Sequence, residues 1–158
     1  MSDHEQTYDV SSLPAAGTEE YRALTRDLIA EFRANGGKIG GPLTGVPLLL
    51  LTTTGARSGQ PRENLVTYTT DNGRLIVAAA REDEDATRHP DWFYNLRAHP
   101  DLTIDTGTET FPARATVLEG AERKRLFDQI AAEMPPEFAV YLRKTRIEVP
   151  VIALDRVG

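Results

Sequence analysis

Four leucines in a row, Leu48 to Leu51, constrain this chain more than any other stretch. If they form a strand they must be buried on both faces, because successive side chains point to opposite sides of a sheet. Thr52 to Thr54 follow, β-branched and suited to a pleated surface. The chain then turns through Gly55-Ala56-Arg57-Ser58-Gly59-Gln60-Pro61-Arg62. That loop offers guanidinium groups, a hydroxyl and the amides of a glycine turn, a donor set that suits phosphate or carboxylate. A buried strand thus delivers an anion-binding loop on a rigid arm.

At 158 residues, with 40% hydrophobic and 27% charged content, the chain has the makeup of one soluble globular domain. A formal charge of −6 argues against a nucleic-acid partner. The absence of cysteine excludes disulfides, thiolate metal sites and cysteine nucleophiles. Residues 1–17 are polar and aperiodic and read as a flexible arm, leaving 18–158 as a single domain. They lack the basic and apolar regions of a signal peptide, so a cytoplasmic protein is expected.

Thr18 can cap a helix whose first turn carries Glu19 and Glu20. Tyr21, Leu24, Leu28, Ile29 and Phe32 make one apolar stripe, and Asn35-Gly36-Gly37 ends it. The stripe suits packing against a core; the competing reading is contact with the inner face of a membrane. Lys38 lies in the glycine-rich connector that follows, which lacks Walker spacing.

A strand is expected over 63–70, then a hairpin turn at Asp71-Asn72-Gly73 and a returning strand over 74–80 that ends in Ala78, Ala79 and Ala80. Pro90 to Ala98 suits a short helix with Pro90 at its first position. Two strands, 101–106 and 109–118, flank Gly107-Thr108. A helix from Gly120 through Glu133, a helical turn over 138–143 and a strand over 149–154 complete the chain. About six mostly antiparallel strands with flanking helices predict a small β-barrel in an α+β protein.

Several chemistries find no support. His4, His89 and His99 lack metal-site spacing. Ser58 is not in a GxSxG elbow and has no evident base. No carboxylate pair stands out as an acid–base dyad. An anion-binding loop without metal, nucleophile or base points to a cofactor that carries the chemistry.

Three blocks stand in order: Phe32-Arg33-Ala34-Asn35-Gly36-Gly37-Lys38; Leu50 to Arg62 with its Thr-Thr-Thr-Gly-x-Arg-Ser-Gly-Gln-Pro-Arg; and His89-Pro90-x-Trp92-x-x-Asn95-Leu96-Arg97-Ala98-x-Pro100. Pro150-Val151 follows near the end. Together they resemble the deazaflavin (coenzyme F420)-dependent nitroreductase and quinone reductase family of actinobacteria. The resemblance covers roughly residues 30–155.

The resemblance implies a split β-barrel of the FMN-binding-like kind and hydride transfer from reduced F420 to a quinone, nitro compound or activated C=C bond. It implies that Arg57, Ser58 and Arg62 hold the cofactor's phosphate and acidic tail, with Gln60 and Pro61 shaping the turn. Ala78, Ala79 and Arg81 would lie along the deazaflavin, Trp92, Asn95 and Leu96 would complete the wall, and Lys38 would reach the acidic tail. Ala80 replaces a serine found beside the ring in several members, leaving Tyr68, Tyr141 or water to supply a proton. Two alternatives keep the fold: an FMN-dependent reductase, and a non-catalytic F420 carrier. The expected partner is a small-molecule electron acceptor, and the chain is a monomer or homodimer.

Overall fold

The computed structural model describes residues 19–41, 44–80, 88–134 and 148–157. The N-terminal arm, the Thr18 cap, Arg81, and the turn expected over 138–143 with Tyr141 lie outside the described residues.

Helix α1 (Glu19–Ala34) carries Glu19 and Glu20 in the first turn and Arg33 in the last, as the helix dipole favours, with Asp27 and Glu31 further along. Its stripe is used for packing: Ile29 and Phe32 are buried with Ile39, Leu48 and Leu50. At its end, Gly37 passes so close to the backbone at 106–107 that an added Cβ would lie 2.6 Å from the Thr106 carbonyl oxygen. Both Gly37 and Gly107 also have positive φ, at 90° and 95°, so this crossing requires glycine on each side.

Seven strands form the sheet: β1 (Leu48–Thr54), β2 (Pro61–Thr67), β3 (Thr69–Asp71), β4 (Arg74–Ala78), β5 (Asp101–Asp105), β6 (Thr110–Val117) and β7 (Val151–Arg156). Their order is β2-β1-β5-β6-β7-β4-β3, with every pair antiparallel. All four leucines of β1 are buried, as a strand covered on both faces requires.

The count differs from about six because the run expected over 63–70 is two strands that part at Tyr68. β2 pairs with β1 at one edge of the sheet, whereas β3 pairs with β4 at the other. Val66 and Tyr68 keep the alternating pattern, so nothing local marks the change of partner. One residue joins strands at opposite edges, and the sheet must curl to allow it. This is the split barrel.

Two further boundaries move. β4 stops at Ala78, and the Ala79 N–H donates to the Pro150 carbonyl (2.9 Å) beside the ladder. β7 begins at Val151, after a proline that has no N–H for the ladder, and runs on to Arg156.

Helix α2 (Asp91–Ala98) takes Pro90 as its extended N-cap, one position earlier than expected, and buries Trp92, Phe93, Asn95 and Leu96. Helix α3 (Gly120–Glu133) buries Leu126 and Ile130. A polar network fastens α3 to the β3–β4 hairpin. Arg125 and Arg74 both donate to Asp71, and Glu133 and Gln129 both engage the buried Thr69 hydroxyl. The two guanidinium groups hold the Asp71 carboxyl below its usual range, and the Arg125 hydrogen bond is the larger cause.

Candidate functional site

The loop between β1 and β2 closes on itself. Beyond the Thr54–Pro61 pair, the Gly55 N–H donates to the Gln60 carbonyl at 2.8 Å and the Gly59 N–H to the Gly55 carbonyl at 3.0 Å. The Ser58 hydroxyl oxygen accepts the Gln60 N–H at 3.1 Å and the Arg62 guanidinium at 3.4 Å. Two donors on that oxygen leave the hydroxyl hydrogen as its remaining bonding capacity. The Ala56 N–H is taken by Asn95 Oδ1 at 2.9 Å.

What remains is a set of donors without acceptors. Among the described residues, the N–H groups of Arg57 and Ser58 have no acceptor, and neither Arg57 nor Arg62 has a carboxylate partner. The acidic neighbour Glu63 is paired with Arg33 of α1. Successive amides, a hydroxyl hydrogen and, on the turn and the strand after it, two guanidinium groups without a carboxylate partner are a donor set that suits an anion. Ser58 is poorly placed as a nucleophile, since both groups that touch its oxygen are donors rather than bases.

Strand direction decides what lies near this loop. β1 to β4 is four antiparallel steps across the sheet, so β1 and β4 run the same way. Loop 55–60 and the alanines after β4 therefore open at one mouth of the barrel. The start of β7, with Pro150, and helix α2 are at the same mouth: Pro150 accepts from Ala79, and Asn95 reaches Ala56. Lys38 follows Gly37, whose backbone crosses the β5–β6 turn, and the Leu50–Asp105 pairing puts that turn toward the Leu48 end of β1. Leu50 to Thr54 alone spans about 14 Å of strand.

Around the mouth, Ala78 and Ala80 are half-buried, whereas Ala79, Trp92 and Leu96 belong to the main apolar cluster with at most 7% of their surface exposed. Gln60 and Pro61 are exposed on the loop. Asn95 is buried, and its other amide atom, Nδ2, donates to Thr53 Oγ1 at 3.2 Å. Tyr68 is half-buried at the seam between β2 and β3, packed on the main cluster, with no hydrogen-bond partner for its hydroxyl among the described residues. His89 stands at the entry to α2, its ring edge-on to Phe93 at 4.8 Å. Burial first, and the Arg97 charge second, push its pKa down.

Comparison with known proteins decides the family. The profile described as F420H(2)-dependent quinone reductase matches residues 24–156. The chain belongs to the F420H2-dependent quinone reductase family. It is therefore an oxidoreductase with coenzyme F420 as its cofactor. The F420H(2)-dependent quinone reductase Rv1261c of Mycobacterium tuberculosis is 32% identical over 130 residues, covering 80% of this chain and 86% of the relative. A solved F420-H2 dependent reductase, FDR-A, superposes with a TM-score of 0.59 at 34% identity, over 69% of this chain and 94% of its own. A structure described as a domain-swapped dimer matches with a TM-score of 0.59 at 33% identity, over 69% of this chain and 80% of its own.

The donor set of loop 55–60 fits such a cofactor, which carries a phosphodiester and carboxylates. Thr53 escaped the sequence reading, although a signal was present. It shares the face of Leu49 and Leu51, both in the main cluster, where period-two burial calls for an apolar residue.

Proposed function

We propose that loop 55–60 holds the phosphate-bearing part of F420 and that the barrel mouth presents the reduced cofactor to a quinone. The observation that carries this is the donor set on the exposed loop and the strand after it, Arg57 N–H, Ser58 N–H, the Ser58 hydroxyl and two guanidinium groups, with no acidic partner among the described residues. Bound F420H2 supplies the hydride. Arg57, Ser58 and Arg62 anchor the anionic end, and Gln60 and Pro61 keep the turn closed. Ala78 and Ala80, half-buried against the cluster beneath α3, and Ala79, Trp92 and Leu96 of the main cluster are the apolar residues offered to the ring. Tyr68, whose hydroxyl has no hydrogen-bond partner among the described residues, is the candidate to hold a proton, and Lys38 is the candidate to meet the acidic tail.

Fluorescence titration of the protein with F420 and with FMN tests the cofactor. Micromolar binding of FMN without binding of F420 would overturn the assignment. Oxidation of F420H2, followed by absorbance with menadione, a nitroaromatic and an enone, ranks the acceptors; we expect menadione to be fastest. The domain-swapped relative supports a homodimer as the assembled state, which light scattering on the purified chain checks.

A further inference from the structure

Between the core and the anion-binding loop runs one continuous chain of hydrogen bonds. Thr53 on β1 is 2% exposed and Asn95 on α2 is 8% exposed; with Thr69 they are the buried polar residues of the described chain. Asn95 Nδ2 donates to Thr53 Oγ1 at 3.2 Å, and its Oδ1 accepts the Ala56 N–H at 2.9 Å. An amide is the side chain that can accept at one atom and donate at the other, so this link has a direction.

Ala56 is an exposed residue whose N–H makes a part-buried bond to the buried Asn95, so the link both satisfies these polar groups and fixes the position of that amide. Ala56 N–H is the first of three consecutive amides, and the next two, on Arg57 and Ser58, are the free donors. The turn is closed by the Gly55–Gln60 and Gly59–Gly55 bonds, so pinning the first amide inside it limits the rotations left to the next two. Asn95 is itself held by its helix neighbours Trp92, Phe93 and Leu96, all buried.

We propose that Thr53 is a positioning residue for the anion-binding loop, acting through Asn95 on the Ala56 amide so that the Arg57 and Ser58 amides face the ligand. The proposal rests on the reading of loop 55–60 as the cofactor's anion site. Thr53 is the cross-strand partner of Arg62, but its hydroxyl bonds Asn95, so its effect on the Arg57 and Ser58 amides passes through Asn95 and is read separately at the Ala56 amide.

Two substitutions separate this role from packing. Thr53→Val keeps the volume and removes the hydroxyl; Thr53→Ser keeps the hydroxyl and removes a methyl. The relay predicts that Thr53→Val raises the F420 Kd about tenfold and speeds hydrogen exchange of the Ala56 amide about tenfold, while Thr53→Ser stays within about twofold on both. A packing role predicts the reverse order, and that order, or an Ala56 amide unchanged in Thr53→Val, overturns the proposal. If Thr53→Val does not fold, Asn95→Ala carries the same expectations for exchange and Kd. Wild-type protein and Arg57→Ala are titrated alongside. Loss of F420 binding in the wild type, or indifference to Arg57→Ala, refutes the cofactor assignment of the loop, and the exchange rate of Ala56, which needs no ligand, then still decides the relay.

Discussion

Arg57→Ala tests the anion site most directly, because the structure separates its binding role from its stability. The Arg57 side chain is exposed and has no hydrogen-bond or ion-pair partner among the described residues, so removing it costs the fold little, within about 0.5 kcal/mol. The substitution keeps the Arg57 N–H and every bond that closes the turn. What it removes is one guanidinium from the donors facing the ligand. A hydrogen bond to a charged group contributes about 1.5 to 3 kcal/mol, so the F420 Kd should rise roughly 10-fold to 150-fold. An exposed charge is screened by salt, which places the effect nearer the lower figure at physiological ionic strength and makes it larger in dilute buffer. The assay is F420 fluorescence titration at two salt concentrations, with urea unfolding to confirm equal stability. Arg62→Ala should weaken binding further, since Arg62 also contacts the Ser58 hydroxyl at 3.4 Å. Unchanged affinity in both variants would mean that the anion lies elsewhere.

Other consequences follow from particular contacts. Phe32 is fully buried between α1 and β1, so Phe32→Ala should lower the urea-derived stability by about 3 to 5 kcal/mol. Gly107→Ala and Gly45→Ala both strain a positive φ, but only the first forces a Cβ into the Gly37 backbone, whereas the second meets nothing within 4 Å; the first should cost about 1 kcal/mol more than the second, and equal losses would deny the close crossing. His89 has its pKa lowered by burial and then by Arg97, so the folded chain resists its protonation. Its contribution is fully present above the ordinary histidine pKa and is lost as pH falls toward the lowered value. His89→Gln should therefore lose less stability than wild type between pH 7.5 and about pH 5, and equal losses would refute the assignment. Tyr68→Phe should slow F420H2 oxidation while leaving the F420 Kd within about twofold, a split visible in steady-state kinetics.

Much of this molecule can be read locally. The leucine run, the Asn72-Gly73 hairpin, the helix over Glu19–Ala34 and the α3 helix from Gly120 to Glu133 depend on periodicity, capping and turn chemistry within a few residues. The same holds for the stretch 55–62, whose two glycines and two arginines suggest an anion site before any packing is known. The family blocks also lie within short stretches, and they carried the expectation of F420.

Choice of partner is a different matter. The 63–70 run reads as one strand because alternation continues through Tyr68, yet its halves bond to opposite edges of the sheet. No pattern within eight residues can encode that, because the competing ladders belong to β1 and β4. The crossing of Gly37 and Gly107 is equally invisible locally, since it joins residues about seventy positions apart. Asn95 suggested a wall residue, and the packing of α2 turned both its polar atoms toward Thr53 and Ala56. The donors that the loop owns are thus written in the sequence. Which of them stay free, and which way they face, is set by hydrogen bonds between residues about forty positions apart, and those exist only once the barrel has closed.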